Sequence, residues 1–289
     1  MNRSYCKYIF ALLLFGSNGI VASFIALSSY EIVLLRTLIG SLLLIVIFFL
    51  NKGKFTFFNH KKQFFCLAAS GIAMGASWMF LYEAYMRIGV SIASLLYYCG
   101  PVIVMAVSPF LFKERLTICK VIGFLSVLCG VFLINGSASR ENVDTFGILC
   151  GLLSAFMYSI MVIFNKKAQN ITGIENSTLQ LLVSFLTVAV FVGFKQGFSI
   201  DIPSSSIVPI LILGLINTGI GCYFYFTSIG NLPVQTVAIC GYLEPLSAVL
   251  FSILFLKEMM RPLQIIGAIL ILGGAVLGEY HNIKPPTPA

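Results

Sequence analysis

Two carboxylates, Glu83 and Glu244, stand deep inside long apolar stretches of this chain. A charge at membrane depth costs several kcal/mol unless it is paired, hydrated or protonated, so such groups face a cavity or a partner. Glu83 lies in WMFLYEAYMRIG. It can bond its helix to a neighbour, through Arg36 or Arg87, or serve as counter-charge for a solute and carry a coupling proton. The residues alone leave these two readings level. Trp78, Tyr82 and Tyr85 are spaced i, i+4, i+7, so three rings share one helical face with Gly71 and Gly75. A carboxylate with aromatic walls can hold an amine by charge and cation–π attraction.

Glu244 precedes Pro245, and the pair aligns with Gly100–Pro101 earlier in the chain. Proline removes a helix donor and frees a carbonyl one turn earlier. A structural or hinge role is therefore expected for Pro101, Pro245 and Glu244. Arg36, near Glu31, is expected to snorkel to the outer interface and serve structure. Asn18 and Asn217 place amides at depth, for bonds between helices or contact with a solute. Trp78, Tyr82, Tyr85 and Tyr97 are shared between an interfacial belt and a cavity wall. Tyr98 begins a span. Tyr158, Tyr223, Tyr225 and Tyr242 lie further from helix ends and are expected to face the interior. The candidate cavity set is thus Asn18, Trp78, Tyr82, Glu83, Tyr98, Tyr158, Asn217, Tyr223, Tyr225 and Tyr242.

Enzyme chemistry lacks its parts. The histidines are His60, in a loop, and His281, past the last apolar run, so no buried Ser–His pair or His-ligated metal is available. Asp144 and Asp201 fall in connections, and neither HExxH, GxSxG nor a P-loop occurs. The eight cysteines form no CxxC and mostly sit within apolar runs as small hydrophobes. No metal and no cofactor is expected.

The elements that must position these groups are membrane helices. Hydrophobic residues make up 59% of the chain and charged ones 10%, with mean hydropathy +1.00, whereas a soluble domain carries about 25% charged residues. Ten apolar runs are long enough to cross a bilayer: about 8–26, 32–50, 64–86, 90–112, 117–135, 146–164, 177–194, 207–228, 234–256 and 262–280. The first follows Arg3 and Lys7 as a signal peptide would, but it is too long for an h-region and is read as a retained span. With the N-terminus in the cytoplasm, twelve Lys and Arg fall inside and six outside, with both termini inside. The formal net charge of +8 is therefore a topological signal, and nucleic acid is not an expected partner.

Residues 97–136 recur without a gap as 241–280, an offset of 144, with ten of forty positions identical. Tyr98/Tyr242, Pro101/Pro245, Lys113/Lys257, Glu114/Glu258, Gly123/Gly267 and Gly130/Gly274 carry the match. Two five-span copies follow, 1–140 and 141–289. Five is odd, so the second copy is inverted, with a pseudo-two-fold axis in the membrane plane and a solute path between the halves. Gly71/Gly75, Gly147/Gly151 and Gly274/Gly278 allow close helix approach, and the last pair offers a face for a homodimer.

These features together resemble the drug/metabolite transporter superfamily, EamA-type branch. The matching segments are GPVIVMAVSPFLFKERLTICKVIGFLSVLCG and LEPLSAVLFSILFLKEMMRPLQIIGAILILGG, supported by RIGVSIASLL and EIVLLRTLIGSLLL. The resemblance implies a basket of ten helices, with spans 1, 3, 4, 6, 8 and 9 lining a cavity and spans 5 and 10 peripheral. Its members export or exchange small metabolites such as amino acids, amines and drugs. Gly100 opposite Glu244, and the extra Asn231–Pro233, set the two halves apart at the cavity.

The expectation is a multi-pass secondary transporter of the cell (plasma or inner) membrane, taking a small-molecule substrate within the lipid bilayer, with proton coupling as one mode. No deep Lys or Arg is expected in the core. Strongly anionic solutes, nucleotide sugars included, are therefore disfavoured, and cations or zwitterions fit better. A passive channel and a non-transporting assembly subunit are the rival classes. In the coupling reading, Glu83→Gln keeps the fold but abolishes the response of flux to a pH gradient; unchanged gradient-driven flux removes Glu83 from that role.

Overall fold

The computed structural model describes residues 3–53, 55–135, 144–198, 200–256 and 262–283. Outside them lie the Lys257–Glu258 turn, the boundary between the two copies at 140/141, and Lys54, Arg140, Arg261 and Lys284 of the charge count. Every regular element among the described residues is helical. In chain order these are α1 (Arg3–Gly16), α2 (Asn18–Ser23), α3 (Ser29–Leu50), a 3-10 turn (Phe57–Asn59), α4 (Lys61–Tyr97), α5 (Cys99–Phe112), α6 (Ile118–Asn135), α7 (Thr145–Lys167), α8 (Gly173–Lys195) and α9 (Ser204–Leu211). A π-helical segment (Ile212–Ile220) then leads into α10 (Gly221–Ile229), α11 (Val234–Cys240), α12 (Leu243–Leu256) and α13 (Pro262–Ile283). Six stretches are long and apolar enough to cross a membrane: Arg3–Ser23, Ser29–Leu50, Lys61–Ile88, Thr145–Lys167, Gly173–Lys195 and Ser204–Ile229. Cys99–Phe112, Ile118–Leu133 and Ile265–Gly278 are shorter apolar helices.

The breaks fall at different places from those the hydropathy profile suggests. The first apolar run is interrupted at Ser17. No helix end occurs between the third and fourth runs: α4 continues through Tyr97 and stops at Tyr98. The ninth run breaks at Gly241–Tyr242. Pro101 and Pro245 occupy the third positions of α5 and α12. In the first turn a missing N–H leaves no carbonyl unpaired, because those amides have no intrahelical acceptor. The prolines therefore mark helix starts after a break, and the freed-carbonyl argument does not apply.

Matched residues of the two copies meet. Tyr242 Oη donates to the Tyr98 carbonyl at 2.6 Å, and Ser126 Oγ to the Leu270 carbonyl at 3.0 Å; both pairs are 144 residues apart. On α6 and α13 the glycines cross over. A Cβ on Gly123 would lie 2.5 Å from the Gly274 carbonyl oxygen, and one on Gly130 would lie 2.5 Å from that of Gly267. As the position on α6 rises the contact on α13 falls, so the matched helices run antiparallel about a two-fold through Ser126 and Leu270. At this helix pair the second copy is inverted relative to the first. The Gly274/Gly278 face is occupied within the chain, by α6 and by Ile239. It is not the free surface that dimerisation through it requires.

The copies interlock elsewhere too. Helix α4 of the first lies against α7 and α8 of the second, with Ser70 and Ser77 donating to the carbonyls of Met161 and Ser154 at 2.7 and 2.8 Å. Gly71 and Gly75 admit Val183, Ser184 and Thr187 of α8.

Gly123→Leu puts a side chain where the Gly274 backbone sits, while Gly273 has open space around it. Overpacking costs about 1–3 kcal/mol. Gly123→Leu is expected to lower the melting temperature of detergent-purified protein by several degrees, and Gly273→Leu to leave it unchanged.

Candidate functional site: a cavity between the repeats

The breaks in the helices create the site. Where α1 ends, Asn217 of the π segment shares its amide protons among the Leu14 carbonyl (3.0 Å), Ser17 Oγ (2.8 Å) and Asn18 Oδ1 (3.0 Å). The interruption in the first copy is thus answered by the irregular segment of the second, since buried backbone groups without partners are costly. Asn217 serves this helix-to-helix bond, and Asn18 is held at the edge of the cavity beyond it.

The cavity has two adjacent compartments that share part of their lining. The wider, of about 500 Å³, runs from Phe15 and Arg36 past Trp78, Tyr82, Tyr85, Tyr97 and Tyr98 to α2 and the α2–α3 connection, with Gly19 and Ser23 of α2 exposed. The deeper, of about 60 Å³, is lined by Leu12, Met74, Ser77, Tyr158, Met161, Cys222, Tyr225 and Phe226. Phe15, Asn18, Arg36, Trp78, Tyr97 and Glu244 border both. Spans 1, 3, 4, 6, 8 and 9 all contribute. So does the second span, through Ile32 and Arg36 of α3.

Arg36 therefore departs from its expected place. It is 6% exposed, and its guanidinium lies 4.4 Å from the Trp78 ring centre. Glu31, its nearest acid in sequence, is turned the other way to cap α3: it accepts from the Ser28 amide at 2.8 Å while Ser28 Oγ accepts from the Glu31 amide. One turn after Arg36, Gly40 abuts Leu181, Gly214 and Thr218. That face of α3 points inward, and a side chain on it cannot snorkel to the surface. The core does hold a deep arginine.

Glu83 also has a definite place, which is outside the residues lining the cavity. Its carboxylate pairs with Arg87 at 2.8 Å and Lys195 at 3.2 Å and accepts a hydrogen bond from Tyr30 Oη. Arg87 continues to Asp144 at 2.8 Å, and its guanidinium, with the Phe146 amide, holds the Asp144 carboxyl below the usual carboxylate range. This rim network ties α3 and α4 to α7 and α8. Arg87, Lys195 and Asp144 are more than a third exposed, so each pair contributes only about 0–1 kcal/mol.

The aromatic candidates divide. Trp78, Tyr82 and Tyr98 face the wider compartment and Tyr158 and Tyr225 the deeper one, where their hydroxyls lie 3.3 Å apart. Tyr242 is fully buried behind Tyr98. Tyr223 sits away from the cavity, with Lys7 Nζ 5.6 Å from its ring centre.

At the other end of the path a polar seal joins the copies. Lys113 ends α5 in a left-handed conformation, φ 56°, which swings Glu114 onto the N-terminus of α11. Its two oxygens accept from the Val234 and Gln235 amides at 2.7 and 3.0 Å, a carboxylate capping a helix of the other copy. Gln235 accepts from Lys120 Nζ at 2.8 Å and donates to Ser108 Oγ at 3.0 Å. Lys166 Nζ donates to the carbonyls of Ile229, Gly230 and Leu232. Residue-by-residue reading did not single out Gln235, Lys120 or Lys166. Lys120 and Lys166 counted only toward topology, although the repeated Lys-Glu motif already marked Glu114.

A cavity between two inverted helical copies, reaching the surface at one end and sealed at the other, is the architecture of a membrane transporter. The family model described as "EamA-like transporter family" matches residues 3–136 and again 145–278; the chain belongs to that family. Among curated relatives, a Bacillus subtilis (strain 168) protein called "Uncharacterized transporter YxxF" is 25% identical over 274 residues, covering 94% of this chain and 88% of its own. A Salmonella typhimurium (strain LT2) protein called "Probable amino-acid metabolite efflux pump" is 24% identical over 200 residues, covering 65% of this chain and 67% of its own. A solved structure described only as "Crystal structure of protein" superposes with TM-score 0.82 at 19% identity, over 95% of this chain and 97% of that one, and speaks for the fold alone.

Asn217→Ala removes the side-chain donor from the α1–α2 break. Losing a buried partner costs about 1–3 kcal/mol, so thermal stability in detergent is expected to fall. Asn231→Ala, which removes a bond at an exposed position, is expected to leave it within error.

Proposed function

We propose that this protein carries small organic solutes across the cell membrane by alternating access. The observation that carries the reading is the path between the repeats: a cavity that meets the surface at the α2–α3 connection and a seal, built from both repeats, at the opposite end. The reading takes ten crossings and, on the distribution of Lys and Arg, both termini in the cytoplasm. The cavity then faces outward and the Glu114–Gln235 seal faces the cytoplasm. Amino acids and amines are the leading substrates; the aromatic walls and the name of the Salmonella relative support them. A passive channel needs a continuous polar lining, and the seal interrupts it.

The test is uptake of a pooled mixture of amino acids and amines into proteoliposomes under an imposed pH gradient, read by mass spectrometry. Selective enrichment over empty liposomes is the expected result. Its absence with folded, inserted protein overturns the amine and amino-acid reading. Steady single-channel conductance overturns alternating access. The same assay on Glu83→Gln decides whether that carboxylate couples flux to protons or only ties the rim.

A further inference from the structure

Arg36 and Glu244 are opposite charges that border the same two compartments from different repeats, Arg36 on α3 and Glu244 in the first turn of α12. They attract one another across this space, yet neither is within ion-pair distance of a partner among the described residues, whose close ion pairs all belong to the Glu83 rim network. The Arg36 Nε is buried with no hydrogen-bond acceptor, and the described contact of the guanidinium is the face of Trp78. A buried guanidinium without a carboxylate is costly, and its planar fork matches one carboxylate in two parallel bonds. The other acids that could reach inward are engaged. Glu83 is held by Arg87 and Lys195, Glu31 by its own cap, Glu114 by α11 and Glu175 by Thr56 and Phe57.

We infer that Arg36 and Glu244 form a two-ended recognition site for zwitterions, in which Arg36 takes the carboxylate of the solute and Glu244 its ammonium group. The proposal rests on the carrier reading and sharpens its substrate class. A bare amine would add positive charge beside Arg36 and leave its donors unmet. A bare carboxylate would satisfy Arg36 but bring a second negative charge toward Glu244. A zwitterion satisfies both ends at no net charge. Phe15, Trp78, Tyr97 and Tyr158 supply an apolar wall for its side chain and ring faces for the ammonium. The wider compartment, about 500 Å³, is within the range of small-molecule sites. Because one charge comes from each repeat, the bound solute bridges the halves that must move relative to one another.

Trp78 is the single tryptophan of the chain, and it lies against Arg36, so its fluorescence reports occupancy independently of flux. The experiment titrates detergent-purified protein with each protein amino acid, its decarboxylated amine and its deaminated acid. Phenylalanine, phenethylamine and 3-phenylpropanoate form one such triplet. The expected result is a saturable change with at least one zwitterion, bound about 10- to 100-fold more tightly than its amine or its acid, as loss of a charge-assisted bond implies. Arg36→Gln is expected to remove the preference over the amine, and Glu244→Gln the preference over the acid, each leaving the other preference in place. Equal binding of zwitterion and amine by the native protein, or no response to any zwitterion, overturns the proposal; neither needs a variant to fold. Flux of a different solute in proteoliposomes would then leave the carrier reading standing. Zwitterion binding without flux would overturn the carrier reading and keep the site.

Discussion

In hydrocarbon no water can satisfy a freed backbone N–H or C=O, and each one left unpaired costs several kcal/mol. This chain nevertheless breaks its helices at Ser17, Tyr98 and Gly241–Tyr242 and unwinds Ile212–Ile220 into a π segment. Groups from the opposite repeat bond the backbone at the end of α1, after α4 and at the start of α11. Asn217 meets the Leu14 carbonyl, Tyr242 meets the Tyr98 carbonyl, and Glu114 meets the amides that open α11. The two halves are therefore bonded to one another where irregular backbone makes room for a cavity. Regular helices would need none of these side chains and would leave less space between the halves.

Inversion gives the pairing its form. Contacts between residues 144 apart, at Tyr98/Tyr242 and Ser126/Leu270, lie on the pseudo-two-fold axis, and the crossed glycines of α6 and α13 flank it. Away from the axis, equivalent residues meet unequal surroundings. Tyr98 lines the wide compartment, whereas Tyr242 is fully buried. Gly100, the counterpart of Glu244, is filled against by Tyr158 and the Ala155 carbonyl. A repeated sequence in one asymmetric arrangement is what a two-state carrier requires, because exchanging the roles of the copies yields the other state at similar energy.

Charge is sorted by depth in a consistent way. The acid that stood out in sequence, Glu83, is neutralised in a rim network with exposed cations. Arg36 and Glu244 face the cavity without such neutralisation among the described residues. Removing a paired rim charge disturbs how the helix ends are tied; removing a cavity charge alters what the space can hold. The expectation of a core that suits cations or zwitterions followed from the carboxylates, and the arginine beside Trp78 sets the balance at one charge of each sign.

Much of the architecture was legible in the chain itself. Long apolar runs imply spanning helices because backbone polarity must be satisfied internally. The offset of 144 marks two copies, the Pro and Gly positions mark where their helices start and cross, and Lys113–Glu114 marks where the first copy turns. Arg87, four residues on in the same helix, was legible as one partner of Glu83; whether Arg36 and Glu83 face the rim or the interior was not. Each can reach either an interface or an interior from the same helical position, and the rotation of α3 and α4 against their neighbours decides which. That rotation depends on Gly40 meeting Leu181, Gly214 and Thr218 and on Gly71 and Gly75 meeting α8, contacts made across more than a hundred residues. Local periodicity determines which residues share a face; only packing between the repeats decides where that face points.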